Sequence, residues 1–267
     1  MPDDVLTIND AGRGVRELIL NRPDVHNALN LPLLKSLTDA LADAEGDEAV
    51  RVLLLRGEGK SFCAGLDLKV AADPSQAEES THLLSDVLTG LRASRLMVVC
   101  AAHGAAFGGG AGLLMASDLT VGDDSLKIGF PEVRRGIIPA MVSVLLRQHL
   151  GDRATREILL LGQTMVGEQI EAAGLLTRRA SLGQSRAAAL ELIDDILAGG
   201  PETLAATKRL INDIAGQPFE TAWTLAHDAH LGSRGSAEFA EGSKAFKEKR
   251  HPSWMANATQ AGWRKID

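Results

Sequence analysis

Three short stretches hold residue types that chemistry can use. In GAAFGGGAGL, Gly108, Gly109, Gly110 and Gly112 crowd five positions before the chain turns apolar. Each glycine in a helix is destabilising relative to alanine, so something there needs bare backbone. A helix opening on such a run offers free N–H groups and the positive end of its dipole to developing negative charge. The same glycines would equally serve close packing of a helix on a strand. In SFCAGLDLK, residues 61–69, a second glycine-bearing turn follows an apolar strand. If both turns follow strands of one parallel sheet they lie on its carboxyl edge, and their amides can converge on one carbonyl oxygen. In KIGFPEVRRGIIPA, residues 127–140, Glu132 stands between Pro131 and an apolar run. A carboxylate in apolar surroundings has a raised pKa, which suits proton transfer near neutrality.

Two nucleotide motifs fail on inspection. RGEGKS (56–61) ends like a phosphate loop, but that loop needs a glycine at position 54, which is Leu. Read as a dinucleotide fingerprint, the glycine cluster puts Leu113 or Met115 where the third glycine belongs.

Hydrophobic patterning supplies the frame for these stretches. VLTI (5–8) and GVRELIL (14–20) read as a β-hairpin. From Leu33 to Ala44 apolar residues recur at the helical period, with Asn30 as N-cap and Pro32 in the first turn. VRVLLL (50–55), LMVVCAA (96–102) and DLTVGD (118–123) read as buried strands, so the order predicts a parallel sheet covered by helices. Beyond about residue 140 the chain reads as helical, with stops at Gly151, Gly162 and Gly199 and last helices near 218–232 and 236–249. The polar segment 70–82 reads as a loop that starts irregularly. The expected layout is an α/β core over 1–195 and a helical region over 196–267.

Composition narrows the class. The chain has 267 residues, 45% hydrophobic and 24% charged, as for an ordinary globular protein. A net charge of −7 argues against nucleic acid as a general partner. No apolar run is long enough for a membrane span, and the acidic N-terminus lacks the apolar core of a leader, so a cytoplasmic protein is expected. Cys63 and Cys100 form no CxxC pair and read as reduced thiols, and the histidines show no metal-ligand spacing, so no metal is expected.

Taken in order, LNRPDVHNALN, SFCAGLDLK, GAAFGGGAGL with Asp118, GFPEVRRGIIP, EAAGLL (171–176) and the AFKEKRHPSW tail resemble the crotonase, or enoyl-CoA hydratase/isomerase, superfamily. The resemblance implies a spiral of ββα turns with a C-terminal helical region that covers the site and joins subunits into trimers or dimers of trimers. It implies an acyl-CoA thioester ligand and no separate cofactor. By the same resemblance the N–H groups of Leu66 and Gly109 hold the thioester oxygen as it takes on enolate character. Ala28, Ala64, Asp67 and Leu68 match positions along the coenzyme A path, and Lys69, with Lys247 or Arg250 near the C-terminus, stands where phosphates could be met.

One position departs from the pattern. Hydratases of this family carry two glutamates, one in the F-x-x-PE segment, here Glu132, and one three residues after the middle glycine, here Gly112. Hydration of a 2-enoyl-CoA has to activate water and protonate the α-carbon, whereas moving a double bond from the 3,4 to the 2,3 position needs one base. Similarity to a bacterial branch of methylglutaconyl-CoA-type hydratases, which also carry this glycine, keeps hydratase as the expected activity with Glu132 as acid and base. The isomerase and a non-catalytic acyl-CoA binder stay open.

Overall fold

The computed structural model describes residues 4–255. The chain divides into two compact units, one holding the residues up to Arg92 with Val98–Ala189, the other Ala93–Met97 with the residues from Leu190 on.

In the first unit, β1 (Leu6–Asp10) and β2 (Val15–Leu20) form the expected antiparallel hairpin, with Leu6 opposite Leu20 and Asp10 opposite Arg16. Every residue of β2 is buried, including Arg16 and Glu17. Those charges are tolerable because Glu17 accepts from Arg56 and Arg186, and Arg16 donates to Asp10, Asp43 and Asp47. Next comes α1 (Leu31–Gly46), where Asn30 accepts from the Leu33 N–H and Leu33, Leu34, Leu37 and Leu41 are buried. β3 (Val52–Gly57) lies parallel to β2.

Two helices follow, α2 (Leu68–Ala71) and α3 (Ala77–Ala93). The segment read as an irregular loop is therefore mostly helical. Asp67 caps α2, and Asp73 accepts from the Ser75 N–H to start the 3-10 turn Pro74–Gln76 that leads into α3.

β4 (Met97–Ala102) is followed by β5 (Ala105–Phe107), α4 (Gly109–Ala116), β6 (Leu119–Asp123) and β7 (Lys127–Gly129). Then come α5 (Ala140–Leu161), β8 (Thr164–Val166), α6 (Glu168–Ala172), β9 (Arg178–Ala180) and α7 (Ser185–Leu197). The stop expected at Gly151 is a bend within α5, where that glycine leaves helical geometry at φ 73°, ψ 180°.

The main sheet has the order β1-β2-β3-β4-β6-β9, parallel at the β2–β3, β4–β6 and β6–β9 pairs. A small second sheet, β5-β7-β8, pairs β5 parallel and β8 antiparallel to β7. The glycine cluster therefore follows β5 of the small sheet, not β4 of the main one. Asp118 braces the end of α4, accepting from the Val98 N–H at 2.7 Å while its own N–H donates to the Val98 carbonyl.

The second unit holds α8 (Pro201–Ile214), α9 (Phe219–Ser233) and α10 (Ala237–Glu248). Glu238 ties α10 to α8, accepting from the backbone N–H groups of Glu202 and Thr203 at the head of α8. No described helix is long and apolar enough to cross a membrane.

Candidate active site

The loop 61–67 is held on both sides by backbone hydrogen bonds. On one side Cys63 pairs with β5: its N–H donates to the Ala105 carbonyl and its carbonyl accepts from the Phe107 N–H. On the other, the Leu29 N–H donates to the Gly65 carbonyl and the Asp67 N–H donates to the Leu29 carbonyl. Peptide groups in extended chain alternate sides, so these two bonds to Leu29 turn the intervening Leu66 N–H the opposite way. It donates to no group among the described residues.

The loop that pairs with Leu66 is itself pinned by Asn27, fully buried in a left-handed conformation at φ 56°. Its side chain accepts from the Arg22 N–H and donates to the carbonyls of Glu58, Ser61 and Phe62. The Arg22 guanidinium then donates to the Ala28 carbonyl and to Asp67.

The second donor comes from the glycine run. Gly108 N–H is taken by the Gly129 carbonyl, and Gly108 itself adopts φ 50°, ψ −116°, a conformation that favours glycine. This turn starts α4 at Gly109, whose N–H donates to no group among the described residues, as befits a first helical residue. The two donor segments touch. A side-chain carbon on Gly65 would lie 2.6 Å from the Phe107 carbonyl oxygen and 3.3 Å from the Gly109 nitrogen. Gly110 meets the Cys63 carbonyl too closely for any side chain. Gly108 and Gly109 line the cavity described next with bare backbone, and Gly110 lets helix and loop pack.

Both donor segments line a cavity of about 220 Å³ together with Glu132. Glu132 opens a 3-10 turn (Glu132–Arg135) after Pro131. Its Oε2 is buried without a hydrogen-bond partner among the described residues. Burial pushes its pKa up, and a backbone hydrogen bond and the nearby Arg135 charge pull partly back. The apolar run after it forms the rim, with Ile138 81% exposed.

Of the residues expected at the site, Ala64, Leu66, Leu68, Gly109 and Glu132 line this cavity. The other expected positions lie apart from its wall. Gly112 is set behind it: a side-chain carbon there would lie 3.2 Å from Val142 Cγ1 and 3.3 Å from Leu88 Cδ2. Ala28 and Asp67 serve the Arg22 clamp, and Asp67 also caps α2. Lys69 is exposed on α2. Arg250 is engaged by Glu241 and Glu248. Burial raises both thiols, Cys63 to about 12, which keeps them protonated. The sequence reading did not single out Arg22, Asn27 or Ser80; Ser80 also lines the cavity.

The profile of the enoyl-CoA hydratase/isomerase family matches residues 10–257. A Thermus thermophilus relative is 35% identical over 243 residues, covering 89% of this chain and 96% of its own. The Mycobacterium tuberculosis enoyl-CoA hydratase EchA19 is 30% identical over 244 residues, 88% of this chain and 91% of its own. Among solved structures, an enoyl-CoA hydratase of Mycobacterium smegmatis superposes with a TM-score of 0.89 at 28% identity, over 94% of this chain and 99% of that one. Matched along nearly its whole length in sequence and in structure, the chain belongs to the enoyl-CoA hydratase/isomerase family and has the crotonase fold.

Proposed function

We propose that the protein adds water to the 2,3 double bond of a 2-enoyl-CoA, with Glu132 moving the protons. The observation that carries this is one cavity lined by Leu66 and Gly109, whose N–H groups donate to no group among the described residues, and by a half-buried carboxyl group whose Oε2 has no partner among them. The thioester oxygen accepts from both amides. Glu132 takes a proton from water as the water oxygen bonds to C3, and the negative charge that develops on the thioester oxygen is held by the amides. The carboxyl group then returns that proton to C2, so H and OH of one water end on adjacent carbons and Glu132 regains its charge. Its raised pKa suits both halves of the task. The hydratase names of the relatives also support this reading.

One observation favours a second reading. Leu88 and Val142 close the space beside Gly112, and Glu132 is the one carboxylate among the described residues that line the cavity. One base is enough to take a proton from C2 of a 3-enoyl-CoA and return it to C4.

Ultraviolet absorbance of the conjugated thioester separates the two when 2-enoyl and 3-enoyl substrates are compared. Loss of absorbance with the 2-enoyl ester supports hydration, and a gain with the 3-enoyl ester alone supports isomerisation. Tight binding of both esters with no change in either would overturn the enzymatic reading.

A further inference from the structure

We propose that Ser80 holds the attacking water in this site, in a chain whose position 112 carries no second carboxylate; the inference rests on the hydration reading. The buried face of α3 carries Ser80, Leu84 and Leu88, spaced four apart on one stripe. Leu88 packs on Gly112, and Leu84 packs on Gly109, its Cδ2 lying 3.4 Å from where a Gly109 side-chain carbon would stand. The next turn of the same stripe reaches the cavity wall as Ser80, which is only 2% exposed. A hydroxyl thus sits where the stripe is otherwise leucine.

Burying a hydroxyl in an apolar stripe is costly unless its hydrogen bonding is met. Ser80 donates to the Ala77 carbonyl at a long 3.2 Å, and Thr81 donates to that same carbonyl at 2.7 Å. No donor among the described residues reaches Ser80 Oγ, so its lone pairs are available as acceptors. A water in the cavity can give one O–H to Glu132 and the other to Ser80 Oγ, and its own lone pair is then left for C3 of the enoyl group. The proton that Glu132 takes is the one it returns to C2. Ser80 gains and loses no proton, so its contribution is orientation.

The test uses two reactions of one protein. Hydration of a 2-enoyl-CoA needs the attacking water. Exchange of the C2 hydrogens of a saturated acyl-CoA in deuterium oxide needs Glu132, the two amides and solvent to swap a deuteron onto the Glu132 carboxyl, but no water positioned for attack on C3. Ser80→Ala is expected to lower kcat for hydration about tenfold, the effect of losing one hydrogen bond, with KM within about twofold and exchange unchanged. Ser80→Cys, a poorer acceptor of similar size, is expected to fall between the two. Equal losses in both reactions would show a merely structural serine and overturn the proposal, as would undiminished hydration by Ser80→Ala. Exchange without hydration in the unsubstituted protein would instead remove the hydration reading itself.

Discussion

Glu132 Oε1 stands 2.9 Å from the point where Gly108 would carry a side-chain carbon, so the carboxylate fills room that bare backbone leaves open. Gly108→Ala forces the carboxylate to move and also puts a side chain on a backbone at φ 50°. The strain is expected to cost about 1–3 kcal/mol of stability. The displaced carboxylate should lower kcat about 100-fold, and steady-state kinetics beside thermal unfolding separate the two effects.

In the proposed mechanism Glu132→Gln keeps the shape and removes the base, so turnover should fall by about 10²–10⁴-fold while ester binding persists. For the unsubstituted protein the rate should decline toward acid with a midpoint above 4.5, the ordinary glutamate value, because the ionised form is the base and burial raises its pKa.

Stability should show the opposite sign to activity. A carboxyl whose folded pKa is raised stabilises the fold when protonated, and this is lost as pH rises through the folded value. Glu132→Gln is therefore expected to raise the melting temperature at about pH 7–8, with the gain disappearing below about pH 4, near the unfolded value. Calorimetry across that range checks it; a gain that persists at low pH would contradict the sign.

Position 112 is sealed, so restoring a second glutamate should fail. Gly112→Glu buries an unpaired carboxylate against Leu88 and Val142 and is expected to cost about 3 kcal/mol or more without raising activity. Gly112→Ala, which asks those side chains to yield by a few tenths of an ångström, should remain within about 1 kcal/mol of the parent. Denaturant titration of both variants decides it.

Asn27 offers a sharper contrast between two substitutions. Asn27→Ala leaves three carbonyls short of a donor, at a cost of about 2–4 kcal/mol. Asn27→Asp keeps nearly the same size but turns a carboxylate toward the same three oxygens. Thermal unfolding at neutral pH should therefore find the aspartate variant melting below the alanine one.

Much of this arrangement was legible in the sequence. The hairpin, α1, β3 and β4 announce themselves by period and by capping, and the glycine run marks the place where backbone had to be bare. Strands β5, β7, β8 and β9 did not, because three residues are too few to show alternation. The helical character of 70–82 is hidden by polar residues whose side chains make caps and turns, Asp73 among them. The surroundings of Glu132 were read from its sequence neighbours, yet Ile138 faces outward at the rim, while the carboxylate rests against Gly108 from another element. Ser80 carried no signal at all: one hydroxyl among polar neighbours becomes distinctive only when α3 turns it inward.

In the proposed mechanism Leu66 serves through its peptide N–H rather than its side chain, and the backbone hydrogen bonds that Gly65 and Asp67 make with Leu29 aim it. Every standard amino acid carries that N–H except proline. An alanine scan would therefore pass over one of the two groups proposed to hold the thioester oxygen. The side chain at position 66 is thus open to change without loss of the proposed oxygen-holding group.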